Sequence, residues 1–323
     1  MTVYLDPPAW PAHGRLWSHL VSDTSLLELR ELARRVDVPD RAFDLDHYDV
    51  PAERHADLVA AGAVPVDGGT LARRLARSYL RVPGHERRRA KRPELLARWA
   101  TLWAPSTPEQ RRAVDEVGAE LVDRWREPHR VYHSRLHLAD ALDRLDDLLG
   151  DGAPGSGRHA AVALWFHDAV HDGAPGTDEE RSAALARELL VPLLGIPARP
   201  GGAPTTPDDA AEVARLVLVT VDHDPDPDDT TGALVSDADL AVLGGPPARY
   251  RRYAAQVRAE YALVGEADFR TGRAAVLDQL LALHTGPGLF RTTSGRARWA
   301  ARTGTNLRAE LASLRAVRQH PDP

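Results

Sequence analysis

Ala163-Leu-Trp-Phe-His-Asp-Ala-Val-His-Asp172 is the stretch on which the reading of this chain turns. The residues leading into it, Ala160-Ala-Val-Ala-Leu-Trp-Phe166, are apolar on every side, and a helix of that character is buried all round. His167 and Asp168 therefore stand at the end of a buried segment, where an unpaired carboxylate carries a desolvation cost of several kcal/mol. A bound cation removes that cost, and so does a plain His-Asp ion pair supporting the helix end. Neighbours on a helix point about 100° apart, so both side chains reach one ion only if it lies over the helix between their two directions.

Upstream, His133 and His137 are spaced i, i+4, which on a helix stacks them on one face. The apolar stripe Leu138, Ala141, Leu142, Leu145, Leu148 and Leu149 predicts that this helix faces the core. Downstream, His171 and Asp172 follow the His167-Asp168 pair by one turn. His171 is expected beside His167, and Asp172 as a carboxylate orienting a ligand or water. Thr177 and Glu180 have capping-box spacing. The segment Asp222-His-Asp-Pro-Asp-Pro-Asp-Asp229 reads as a solvated, proline-broken loop, with His223 closing the apolar run Val213 to Val221. His159, His284 and His320 have no partner spacing.

The stretches Val131-Tyr-His-Ser-Arg-Leu-His137, Ala163 to Asp172, Asp178-Glu-Glu-Arg-Ser-Ala183 and Asp237-Ala-Asp-Leu-Ala-Val-Leu-Gly244 together resemble one bacterial branch of the HD superfamily of metal-dependent phosphohydrolases, over roughly residues 94 to 315. The resemblance implies an all-α HD-type helical bundle with metal ligands in the order H…HD…D: His137, His167, Asp168 and Asp237. It further implies Glu179 as an acid or base after the HD helix, with Asp178 where Asn is usual; a capping role for Glu179 stands beside this. Related proteins often carry a His at the place of His223. His133 is read as a phosphate or leaving-group contact, or equally as a capping residue, and Ser134 replaces the usual Asn. Residues 1 to about 82 resemble a separate small domain of unknown function.

The chemistry implied is hydrolysis of phosphomonoesters or phosphoanhydrides, most plausibly nucleotides. A divalent ion held by imidazole and carboxylate lowers the pKa of bound water and polarises a phosphoryl oxygen. Such a donor set suits Mn, Fe, Co or Ni better than an all-oxygen Mg site, with Mn or Mg the expected ion in an assay. One ion is expected. Arg181, Arg135 and Arg130 are the candidates for the charge needed at the phosphoryl oxygens. The chain has no Cys, which removes thiolate sites of every kind. Two other readings remain open, a di-iron HD-type oxygenase that recruits His223 and a catalytically silent nucleotide-sensing module.

Composition sets the frame. The 323 residues suffice for two domains, and a net charge of −6 does not favour polyanions, so nucleic acid is not an expected partner. All but one of the 41 basic residues are Arg, the exception being Lys91, beside 24 Gly and 25 Pro. That is a coding bias and not a phosphate-binding signal. No apolar run is long enough for a membrane span and the N-terminus lacks signal-peptide regions, so the expected location is cytoplasmic.

The chain is expected to divide into a small α/β domain (1–82), a basic linker (83–93), the helical domain (94–315) and a tail (316–323). Strands are predicted at Val3 to Leu5 and Ala63 to Val66. Helices are predicted at 26–36 behind the Ser22-Asp-Thr-Ser25 cap, and at 53–61 and 69–80. Asp6, His13, His19, Asp23 and the segment Phe43-Asp-Leu-Asp-His-Tyr-Asp49 supply either a second ligand site or ordinary turn and cap chemistry.

Overall fold

The computed structural model describes residues 2–78, 80–153, 155–174 and 176–316. The chain is mainly helical with a small N-terminal sheet, and it divides into two compact units. The first comprises Met1–Arg87 with Arg251–Ala262, the second Arg88–Tyr250 with Leu263–Pro323.

In the first unit, five strands form one sheet: β1 (Val3–Leu5), β2 (Trp10–Ala12), β3 (Arg15–Ser22), β4 (Tyr48–Pro51) and β5 (Val64–Pro65). β1 and β2 pair antiparallel with successive stretches of β3, β4 pairs with the middle of β3, and β5 runs parallel to β1. His13 and Gly14 close the β2–β3 hairpin at φ 51° and 72°, the two positive values that a tight primed turn requires. Helix α1 (Leu26–Arg35) starts at Ser25, whose hydroxyl accepts the Leu27 N–H, and buries Leu26, Leu29, Leu32 and Ala33. Helices α2 (His55–Ala60) and α3 (Gly68–Arg77) follow.

The α/β character of this unit, its first and last strands and its helices agree with expectation. Three of its strands, β2, β3 and β4, have no counterpart there. The basic segment 83–93 is not an extended linker: α4 (Gly84–Arg89) runs through it, and α5 (Arg92–Ala100) begins inside it. Residues 251–262, expected in the helical domain, cluster with the first unit. The expected tail, 316–323, lies outside the described residues except for Ala316.

The second unit continues with α6 (Pro108–Arg124), α7 (Arg135–Gly150), α8 (Gly157–Phe166), α9 (Thr177–Leu189), α10 (Pro207–Leu218) and α11 (Thr230–Leu240). Helix α12 (Pro247–Glu260) leads out of it, and α13 (Glu266–Thr285), the short α14 (Thr293–Gly295) and α15 (Ala301–Ala316) complete the bundle. Helix α8 is the axis. It packs against α7, α9, α10 and α11, and Ala160 and Val162 to Phe166 are all buried, as an all-apolar helix requires. Trp165 and Phe166 meet Trp99 of α5 with ring centroids 5.3 and 6.4 Å apart. Because α8 is enclosed, its C-terminal end delivers His167 and Asp168 into the interior.

Candidate metal centre

Helices α7 and α11 and the end of α8 bring four side chains to one point. His137 lies in the first turn of α7, His167 and Asp168 follow α8, and Asp239 lies near the end of α11. His137 Nε2 stands 3.1 Å from His167 Nε2 and 2.9 Å from Asp239 Oδ1. His167 Nε2 stands 3.1 Å from Asp168 Oδ2 and 3.6 Å from Asp239 Oδ1, and His137 Nε2 stands 3.7 Å from Asp168 Oδ2. Ligands about 2.1 Å from one ion are separated by about 3.0 Å at a right angle and about 3.4 Å at the tetrahedral angle. The five edges that involve a histidine, 2.9 to 3.7 Å, therefore fit donors gathered around a single cation, with His137, His167 and Asp168 the tightest group.

The tautomer is set from behind. His167 Nδ1 hydrogen-bonds the Leu164 carbonyl at 2.8 Å, which makes Nδ1 the donor and turns Nε2 inward. Trp125 fixes the ring planes, with centroids 5.3 Å from His167 and 6.1 Å from His137, and its indole N–H donates to Trp165 O at 2.9 Å. Tyr132 packs on His137 at 4.8 Å.

Charge in this pocket is strongly organised. Burial opposes a proton on His167, yet the carboxylates of Asp168 and Asp239 overcome it and raise this imidazole well above its ordinary range. Burial likewise opposes ionisation of Asp168 and Asp239, and the surrounding histidines still hold both carboxyls well below the usual range. The site thus favours positive charge, which a protonated His167 supplies and a divalent cation would supply in its place. The imidazoles of His137 and His167 are only 3% and 1% exposed, against 14% and 13% for Asp168 and Asp239, so the centre opens to solvent on its carboxylate side.

Asp237 is not in this cage. It accepts the N–H groups of Arg291 and Thr292 at 2.7 and 2.9 Å and the Thr292 hydroxyl at 2.6 Å, anchoring the segment that leads into α14. A Cβ on Gly295 would stand 2.2 Å from Asp237 Oδ2, so glycine is what admits this carboxylate. Burial pushes the Asp237 carboxyl up to about 6 despite these donors. Residues two apart on a helix point about 200° apart. The one of the pair that faces α7 is Asp239.

Other expected residues divide in the same way. His223 does face the site, with Nε2 3.6 Å from Asp239 Oδ2 and Nδ1 3.3 Å from Ser236 Oγ; burial lowers its pKa. His133 precedes α7 and does not share its face, because the helix starts at Arg135 behind Ser134. Its ring lies 5.8 Å from His137 and 4.0 Å from His171, so His171 stacks on His133. Arg135 occupies the first position of α7, its N–H donating to Trp125 O.

Arg130 is 1% exposed and is committed to the backbone, donating to the carbonyls of His133, Asp168 and Ala169 and to Glu127. It clamps the HD segment and is not turned to a substrate. Asp172 is exposed and paired with Arg181 at 2.6 Å, so neither is placed as a partner of the buried imidazoles. Asp178 accepts the N–H groups of Asp172 and Ala174, both at 2.8 Å, and Ser182 Oγ accepts that of Val170, fixing the loop after the pair. The cap of α9 belongs to Glu179, which accepts the Gly176 N–H, and not to Thr177 with Glu180. Burial, with the charges of Asp168 and Asp178 behind it, raises the Glu179 pKa against the pull of backbone N–H groups. The 222–229 segment is turn chemistry as read: Asp222 accepts the Asp224 N–H, and Asp229 caps α11 and pairs with Arg215.

The family model described as protein of unknown function (DUF4031) matches residues 3–78, within the first unit. No curated protein and no solved structure matches the chain. Among the described residues, no helix is long and apolar enough to cross a membrane.

Proposed function

We propose that His137, His167, Asp168 and Asp239 hold one divalent metal ion, and that this chain is an HD-type hydrolase of phosphomonoesters or phosphoanhydrides, with nucleotides the leading substrate class. One observation carries the reading: two imidazole Nε2 atoms approach to 3.1 Å between two carboxylates, with the His167 ring held from behind by a backbone carbonyl. Mn, Mg, Fe, Co and Ni are the candidate ions. When bound, such an ion supplies acidified water and polarises a phosphoryl oxygen.

The chain's own residues supply the rest. Trp125, Tyr132 and the Leu164 carbonyl orient the imidazoles, and Arg130 holds the Asp168 backbone so that its carboxylate stays on the open side. Glu179 is the proton-transfer candidate, since burial and the neighbouring Asp168 raise its pKa. His133 and His171, stacked and close enough to lower the Asp168 pKa, are the candidates to meet the leaving group.

A second reading rests on Asp239. Its Oδ1 faces His137 and His167 while its Oδ2 faces His223, the arrangement of a carboxylate able to serve two ions. An iron oxygenase built this way shows iron above one ion per chain. Metal analysis of chelator-free protein, followed by a screen of nucleotides and simple phosphate esters, separates the readings. Hydrolysis with one ion supports the first, and ligand stabilisation without turnover indicates a sensing module.

A further inference from the structure

The first unit carries a second cluster that the proposed hydrolytic centre does not use. β3 and β4 pair with His19 directly opposite Asp49, and Trp17 opposite Pro51. Strand alternation sends Ser18, Leu20, Tyr48 and Val50 into the core and leaves Trp17, His19, Asp49 and Pro51 on the other face. His47, two residues before Asp49, shares that face, and its ring lies 5.3 Å from that of His19. Both imidazoles converge on the same oxygen: His47 Nε2 and His19 Nε2 stand 3.5 and 3.8 Å from Asp49 Oδ1.

What lies behind the rings makes this more than a charged patch. His19 Nδ1 is 3.0 Å from Asp6 Oδ2, and Asp6, 2% exposed, also accepts the His19 backbone N–H. His47 Nδ1 is hydrogen-bonded to Asp46, which is fully buried and accepts the Val82 N–H at 2.7 Å on its other oxygen. Two buried carboxylates thus occupy both Nδ1 atoms and turn both Nε2 atoms toward Asp49. A carboxylate behind each ring is the arrangement that orients metal-bound histidine and raises its basicity.

In front lies a cavity of about 760 Å³, whose lining includes His19 and Asp49 with Trp10, Trp17, Arg15 and Arg41. Three protein donors leave coordination positions open on the cavity side, where arginines offer charge and indoles a flat surface.

We propose that His19, His47 and Asp49 bind a divalent transition-metal ion at the wall of this cavity, and that its open positions take an anionic ligand of the phosphate class. Two imidazoles and one carboxylate with an open position form the donor set of a ligand-accepting Zn or Co site.

The test uses the full-length chain carrying Asp168→Ala, which disables the centre of the second unit, loaded with Co²⁺ and read by visible absorption and metal analysis. The expected result is one cobalt ion per chain with ligand-field bands, lost on adding His19→Gln or Asp49→Asn. Both of these positions are partly exposed, so the result does not depend on the buried His47, and a circular-dichroism melt establishes that each variant is folded. Inorganic phosphate should shift the bands, and Arg15→Ala with Arg41→Ala should weaken that shift. Cobalt retained at full stoichiometry in folded His19→Gln and Asp49→Asn overturns the metal site. Bands indifferent to phosphate overturn the ligand. Because both readouts are taken with the hydrolytic centre disabled, neither depends on the proposed hydrolase activity.

Discussion

Asp239 Oδ1 lies 2.9 Å from His137 Nε2, although Asp237, two residues earlier on α11, is the more deeply buried carboxylate. The two side chains do different work, one facing the imidazoles and the other holding the Arg291–Thr292 backbone.

Asp237→Ala should therefore behave as a structural lesion. It strands two backbone N–H groups and a hydroxyl in the interior, a loss of about 2 to 4 kcal/mol. Denaturant unfolding should register that loss while metal stoichiometry stays at the wild-type value. Gly295→Ala, which forces a methyl against the same carboxylate, should reproduce the instability. Loss of bound metal in folded Asp237→Ala would return this residue to the cage.

Arg130→Met removes a buried cation that holds three carbonyls, two of them in the HD segment itself. Leaving those acceptors unpaired should cost about 3 kcal/mol or more. Metal affinity should fall by about 10- to 100-fold, as it does when outer partners of a metal site are lost. Arg130→Lys should recover only part of this, since one ammonium cannot span carbonyls that a planar fork reaches together. Wild-type affinity in Arg130→Met, measured by titration calorimetry, would show that the clamp does not position the ligands.

Asp209 gives a pH-dependent prediction. Partial burial works against its charge, but hydrogen bonds from the Thr206 hydroxyl and N–H and from His159 outweigh this and lower its pKa. A carboxyl depressed in the folded state contributes stability that is complete above its unfolded pKa, near 4, and is lost as pH falls through the lower folded value. The Tm gap between wild type and Asp209→Asn should thus be present at about pH 5 and close on acidification below the unfolded pKa. A gap that persists undiminished well below that pKa would contradict the pairing.

Asp172→Asn tests a residue that the sequence placed in the catalytic group and the fold places at the surface with Arg181. Exposed pairs of this kind contribute little. Metal content, Tm and hydrolysis rate should all stay near wild type, and a fall in rate at unchanged metal content would restore Asp172 to the chemistry.

Much of the site was legible in local pattern. Ala160 to Phe166 is apolar enough to fix α8 as an enclosed axis, and the stripe from Leu138 to Leu148 sets His137 on the core face of α7. Asp239 was not legible, because α11 is buried from Gly232 to Ala238 and has no polar face to give its orientation away. Its rotation is set by Thr292 and Gly295, more than fifty residues later, and no local signal carries that. β3 escaped for a related reason: its buried residues include Ser18 and Ser22 while Leu16 is exposed, so its burial pattern does not follow the polar–apolar pattern of its sequence. His133 misled through its spacing, since i, i+4 places two residues on one face only where both lie inside a helix.

The most direct measurement is Mn²⁺-dependent hydrolysis of a small chromogenic phosphate ester by wild type and Asp239→Ala, with bound metal determined on the same samples. The account predicts one ion per chain and turnover in wild type, and in Asp239→Ala a loss of both, the rate falling by about 100-fold or more because a direct ligand matters at least as much as an outer partner. Asp239→Ala that keeps its ion and its rate would contradict the metal centre described here.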